Sequence, residues 1–159
     1  MPEVTLTPDD YSVVLHLSAD RMIESLRAGR RDAVWDKDNW IHEYHIHILG
    51  AVGEIAFAKW IGEYPRFGVK QFSGMDSDHA GDIEIRHRSS RDYDLKITDK
   101  DDPKRKYVLT RGLPPKIEIA GWSYGGEVMK DEFRANHGGY GECWFVPVEH
   151  LRTMEEIAK

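Results

Sequence analysis

Only one of the 159 residues is a cysteine, which excludes an intrachain disulfide and a cysteine-rich zinc knuckle. That scarcity fits a reducing cytoplasm. Cys143 stands in the run ECWFVP and reads as buried packing rather than as a reactive thiol. Long hydrophobic runs are also missing: none approaches the roughly 20 residues that a membrane-spanning helix needs, so a soluble protein without a membrane partner is expected. The opening MPEVTLTPDD has neither the basic nor the apolar stretch of a signal peptide, and none is expected there. No internal repeat and no low-complexity tract is present. With 40% hydrophobic residues, five Trp and seven Tyr, the chain is too apolar to be disordered. Its length allows one sizeable core but not two comfortable ones, so a single domain over residues 1–159 is expected.

An excess of positive charge is lacking too. The 22 Lys and Arg face 28 Asp and Glu, a net charge of −6, which is the wrong sign for a nucleic-acid partner if the charge is spread evenly. It is not spread evenly. Residues 86–116 hold ten Lys or Arg against five Asp, a local balance of +5 that leaves −11 for the remainder. A localised phosphate-facing surface requires such an asymmetry, although a set of solvated turns produces it equally well.

What is present is a helical first third and a strand-rich remainder. Thr7-Pro8-Asp9-Asp10 marks a helix start, apolar residues from Val13 to Leu26 recur at near-helical spacing, and Gly29 ends the run. After a polar connection over 31–40, a second helix is predicted from Trp40 to Ile61, with Gly62 as its stop. Residues 66–72, 81–88, 92–98, 106–112 and 115–122 then read as strands, separated by short turns that point to an antiparallel meander. A short helix near 127–134, a Gly-rich loop at 136–142, a strand CWFVPV and a final helical turn complete the chain. The expected class is α+β: two N-terminal helices followed by a mainly antiparallel or mixed sheet.

The charges within two of these strands are ordered. In GDIEIRHRSSRDYDLKI (81–97), alternation puts Ile83 and Ile85 on one face and Asp82, Glu84 and Arg86 on the other. Leu95 and Ile97 likewise oppose Asp94 and Lys96. If the two runs pair as a hairpin with a common apolar face, all five charges crowd onto one side. Ordinary half-exposed strands also alternate in this way. The preceding helix is less ordinary. Gly50 and Gly53 each cost about 1 kcal/mol relative to Ala in a helix interior and need a reason, such as close approach of another element. Glu54 follows at once among Ile55, Ala56 and Phe57, so its carboxylate should face a wet cleft or a buried partner.

Carboxylates converging from a helix and two strands make an all-oxygen site suited to Mg²⁺ or Mn²⁺. Such an ion lowers the pKa of a bound water and neutralises charge on a phosphoryl transition state, while a neighbouring lysine orients or deprotonates the water. The expected metal ligands are Glu54, Asp82 and Asp94, with Lys96 as the catalytic lysine and Glu84 as an additional carboxylate. Arg86, Arg88 and the turn cluster Lys104, Arg105 and Lys106 are the expected phosphate contacts.

Glu54, Asp82 and Asp94-Leu95-Lys96, in the order αβββ, resemble the PD-(D/E)XK nuclease superfamily. Gly81-Asp82 stands where that superfamily has its PD, and twelve positions separate Asp82 from Asp94. The GxxGE helix, the Tyr107-Val108-Leu109 strand and the Gly121-Trp122 strand end are similar to small phage-encoded members, and the resemblance covers residues 50–147. It implies a restriction-endonuclease-like core, a divalent metal, and DNA as substrate, and it admits a homodimer. A second register is open, in which the tripeptide is Glu84-Ile85-Arg86 and the first acid is Asp78 or Asp76. That register replaces the usual lysine with arginine, a poor base but a good phosphate clamp. Lys96 would then supply the amine from the neighbouring strand.

Other motifs carry less. His45 and His47 cannot share a helical face, which argues against a zinc site with His42. Trp122 and Tyr124 fit packing better than base stacking, and residues 136–142 lack phosphate-loop spacing. Two function classes follow: a metal-dependent endonuclease, and a catalytically silent module of the same fold that binds nucleic acid or a protein partner.

Overall fold

The computed structural model describes residues 1–29, 40–63, 82–137 and 141–157. The strand expected at 66–72, the alternative acids Asp76 and Asp78, most of the 31–40 connection and the tip of the 136–142 loop lie outside the described residues.

The chain opens with a strand that the sequence did not announce, β1 (Glu3–Thr5). Helix α1 (Pro8–Arg27) begins in a capping box: the Asp10 amide donates to Thr7 Oγ1 (3.4 Å) while Thr7 N donates to Asp10 Oδ2 (2.6 Å). Helix α2 (Trp40–Ile61) stops at Gly62, whose φ of +72° an L side chain rarely adopts. Residues 51–58 of α2 are all buried, because the helix lies between α1 and the sheet. No helix among the described residues is long and apolar enough to cross a membrane.

The remaining strands are β2 (Ile83–Arg88), β3 (Leu95–Ile97), β4 (Lys106–Arg111), β5 (Lys116–Tyr124), β6 (Arg134–Ala135) and β7 (Cys143–Val146), with a one-turn helix α3 (Gly125–Val128) after β5. They form two sheets, in the orders β1-β5-β4-β2 and β3-β7-β6. In the larger sheet β1 and β4 run antiparallel to β5, but β2 runs parallel to β4, with Glu84 opposite Tyr107. The architecture is α+β with a mixed sheet.

The expected hairpin between 82–88 and 94–97 does not form. β3 leaves the larger sheet and pairs with β7, Leu95 opposite Val146. Alternation is obeyed in both strands, but their apolar faces go to different cores. Ile85 packs with Val52, Ala56, Val108 and Ile119 under the helices. Leu95 and Ile97 pack with Tyr107, Leu109 and Val146 between the sheets. The meander fails for a physical reason: six residues separate β2 from β3, enough to swing the chain off the sheet edge, and β4 then returns beside β2 in the same direction.

Of the two helix glycines, one has its explanation. A Cβ on Gly53 would lie 2.6 Å from both His87 Cβ and Thr110 Oγ1, so α2 seats directly on the side chains of β2 and β4. Around Gly50 nothing lies within 4 Å of such an atom.

Candidate functional site

Because Glu84 and Tyr107 are paired across parallel strands, their side chains share the face of the larger sheet opposite the helices. There Glu84 accepts a hydrogen bond from Arg105 Nη1, and its other oxygen lies 4.0 Å from Arg86 Nη1. Arg86 Nη2 donates to Asp101 Oδ1 at 2.6 Å, and Asp101 Oδ2 is held by the Thr98 amide at 2.8 Å. The Arg86 guanidinium sits 5.2 Å from the centroid of the Tyr107 ring, whose hydroxyl donates to the Asp102 carbonyl. Two acids and two arginines therefore alternate in one half-buried chain: Arg105, Glu84, Arg86, Asp101.

Burial raises the pKa of Glu84 above the ordinary carboxylate value, and Arg86 and Arg105 only partly offset it. The Tyr107 hydroxyl is pushed up to about 12 by burial, with the Asp101 charge acting in the same direction.

The other expected site residues are dispersed. Glu54 is buried and chelated by Arg21 of α1, Nη1 to Oε1 at 2.7 Å and Nη2 to Oε2 at 2.8 Å. It points between the helices, not toward the strand acids. Asp82 is exposed at the entrance to β2 with φ +59°, and its carbonyl accepts from the Lys106 amide. Lys96 belongs to the smaller sheet, opposite Phe145, and Asp94 stands just ahead of β3, near Arg88. Arg88 leans on Tyr93, Lys106 lies 5.4 Å from the Trp122 ring, and Lys104 is exposed. Among the described residues no three His, Cys, Asp or Glu side chains are grouped as a metal site. The described donors therefore do not complete a Mg²⁺ or Mn²⁺ site: Glu84 and Asp101 share one neighbourhood, Glu54 pairs with Arg21 between the helices, and Asp94 stands ahead of β3 near Arg88.

Two participants escaped the sequence. Asp101 sits in the DKDDPKR turn with Arg105, which was among the expected phosphate contacts, and nothing in the spacing distinguishes this aspartate from solvated charge. His87 is the other. Alternation with Ile83 and Ile85 sends its ring toward α2, where Nδ1 lies 3.0 Å from Thr110 Oγ1 and Nε2 is buried with no hydrogen-bond partner among the described residues. Burial depresses its pKa to about 4, with the Gly112 backbone acting the other way. The alternation was a usable signal for this residue.

A scan of protein-family models matches none to this chain, and searches of curated proteins and of solved structures return no significant match.

Proposed function

We propose that the protein acts on nucleic-acid phosphodiesters, with Glu84 as its acid–base group and Arg86 and Arg105 as its phosphate partners. This is the Glu84-Ile85-Arg86 register, not the one built on Asp94 and Lys96. The observation that supports it is the half-buried chain Arg105, Glu84, Arg86, Asp101 at β2, whereas Lys96 lies in another sheet. An entering phosphate competes for the guanidinium N–H groups, which match its oxygens as well as they match a carboxylate. Burial, which raises the pKa of Glu84, then makes its carboxylate a stronger base toward an attacking water. A divalent ion, if bound, would neutralise charge on the phosphate. The described residues do not by themselves form its site, and no step above depends on it. The reading carries with it DNA as the partner, a cytoplasmic location and room for a homodimer.

A second reading, the silent binding module, is favoured by the Glu54 carboxylate, both of whose oxygens are occupied by Arg21. The two are separated by incubating a labelled oligonucleotide with Mn²⁺ or with chelator. Glu84→Gln is expected to lower cleavage at least about 100-fold, while Asp94→Asn and Lys96→Ala leave it near wild type. The reverse pattern returns the site to Asp94 and Lys96. No cleavage of single-stranded, duplex or branched DNA by wild type, with no heat of Mn²⁺ binding in calorimetry, establishes the silent module.

A further inference from the structure

Among the described residues β2 is an edge strand, and its alternate residues Glu84, Arg86 and Arg88 face one side. At a rise of about 3.3 Å per residue, Arg88 stands about 13 Å along the strand from Glu84. Each arginine lies against a tyrosine ring, 5.2 Å from centroid to guanidinium for Arg86 on Tyr107 and 4.9 Å for Arg88 on Tyr93. The rings differ in access. Tyr107 is 1% exposed, but Tyr93 is 48% exposed. A tight turn fixes Tyr93: its amide donates to the Ser90 carbonyl at 3.3 Å, and the Asp92 amide to Ser90 Oγ at 3.2 Å. Arg91 ties the same turn to Glu3 of β1 at 2.6 Å. Arg88 itself is half-buried; burial lowers its pKa, and Tyr93 and Asp94 act the other way.

Among the described residues, an aromatic ring on a tethered turn, backed by a guanidinium and 48% exposed, offers surface to a flat partner. We propose that the Arg88–Tyr93 pair is a stacking platform for an unpaired base, so that the nucleic acid served by the Glu84 site is single-stranded where it passes the end of β2. The inference rests on the nucleic-acid reading above. A base inside a duplex presents its edges and keeps its faces stacked on neighbours, so a duplex gains nothing from Tyr93. A single strand presents its faces, and stacking of a base on an aromatic side chain tolerates any sequence. Arg86 and Arg88, on the same side of β2, lie along the path its backbone would take.

The test is fluorescence anisotropy of a labelled oligothymidine, alone and annealed to oligoadenine, at low salt and with chelator so that nothing is cut. Wild type should bind the single strand more tightly. Tyr93→Ala should weaken single-strand binding about tenfold and leave duplex binding unchanged, while Tyr93→Phe keeps wild-type affinity. Circular dichroism checks that each variant is folded. If Tyr93→Ala binds the single strand as wild type does, or Tyr93→Phe is as weak as Tyr93→Ala, the platform is overturned and the nucleic-acid reading stands. Preference of wild type for the duplex also overturns it. Binding of neither form by wild type removes both.

Discussion

Two carboxylate–arginine contacts, Glu54 with Arg21 and Glu84 with Arg105, have side chains exposed to nearly the same degree, 11% and 9% against 13% and 13%. They are held in different ways. Glu54 gives both oxygens to one guanidinium across the α1–α2 seam, a closed pair in which little is left to exchange. Glu84 is shared between Arg105 and Arg86, and Arg86 is shared again with Asp101. Equal burial therefore hides two different arrangements of charge. What separates them is how the carboxylate is held: Glu54 by both oxygens on one guanidinium, Glu84 between two arginines.

The comparison breaks most decisively at Arg21. Arg21→Ala leaves Glu54 charged and buried without its partner, and thermal or urea unfolding should show a loss of about 3–5 kcal/mol. Arg21→Met combined with Glu54→Leu should recover most of it, because the charge to be desolvated is gone.

Next in size is the effect of pH through His87, which lies on the same helix-side face as the closed pair. Its folded pKa of about 4 lies below the ordinary value of 6.5, so the fold holds the neutral ring and the unfolded chain takes up the proton first. Stability from this group is complete above pH 6.5 and is lost as the pH falls from 6.5 toward 4, by about 3 kcal/mol at most. Unfolding free energies over that range should fall more steeply for wild type than for His87→Gln.

Gly53→Ala comes third. Helix propensity gains about 1 kcal/mol, but the new methyl meets His87 and Thr110, and overpacking of about 1–3 kcal/mol outweighs the gain. The midpoint of urea unfolding should fall.

The smallest effect belongs to the shared carboxylate and sharpens the contrast. Glu84 has a raised folded pKa, so its contribution to stability is present below the unfolded value of 4.5 and is lost as the pH rises through the folded value. At neutral pH the charge is held at a cost, and an amide oxygen still accepts from Arg105. Glu84→Gln should change unfolding free energy by about 1 kcal/mol or less, several-fold below Arg21→Ala.

The helices were legible because their signals are local. TPDD is a capping box that the structure uses, and Gly62 closes α2 at the expected residue. The positions of β2, β3, β4, β5 and β7 were legible for the same reason. Strand pairing was not, because alternation says which residues share a face but not which of two cores receives that face. Ile85 and Leu95 follow the same rule and finish on opposite sides of the larger sheet. At the site, Glu54 was legible as a carboxylate that needs a partner, yet Arg21, 33 positions earlier, gave no sign of being that partner. The shared face of Glu84 and Arg86 could be read directly, whereas Asp101 and Arg105 arrive through the turn before β4, which no periodicity describes.

β4 carries a consequence for how the chain assembles. Val108 faces the helix-side core while Tyr107 and Leu109 face the other, and all three are exposed by 1% or less. The segment joining it to its parallel partner β2 carries β3 over to β7, so the two sheets share this stretch of chain. Neither core can close before the other is under way, so folding should be governed by distant contacts and be correspondingly slow. Excising the smaller sheet would strip β4 of half its surroundings instead of releasing an independent piece, and the amide protons of Val108 and Leu109 should open to solvent only when the whole molecule does.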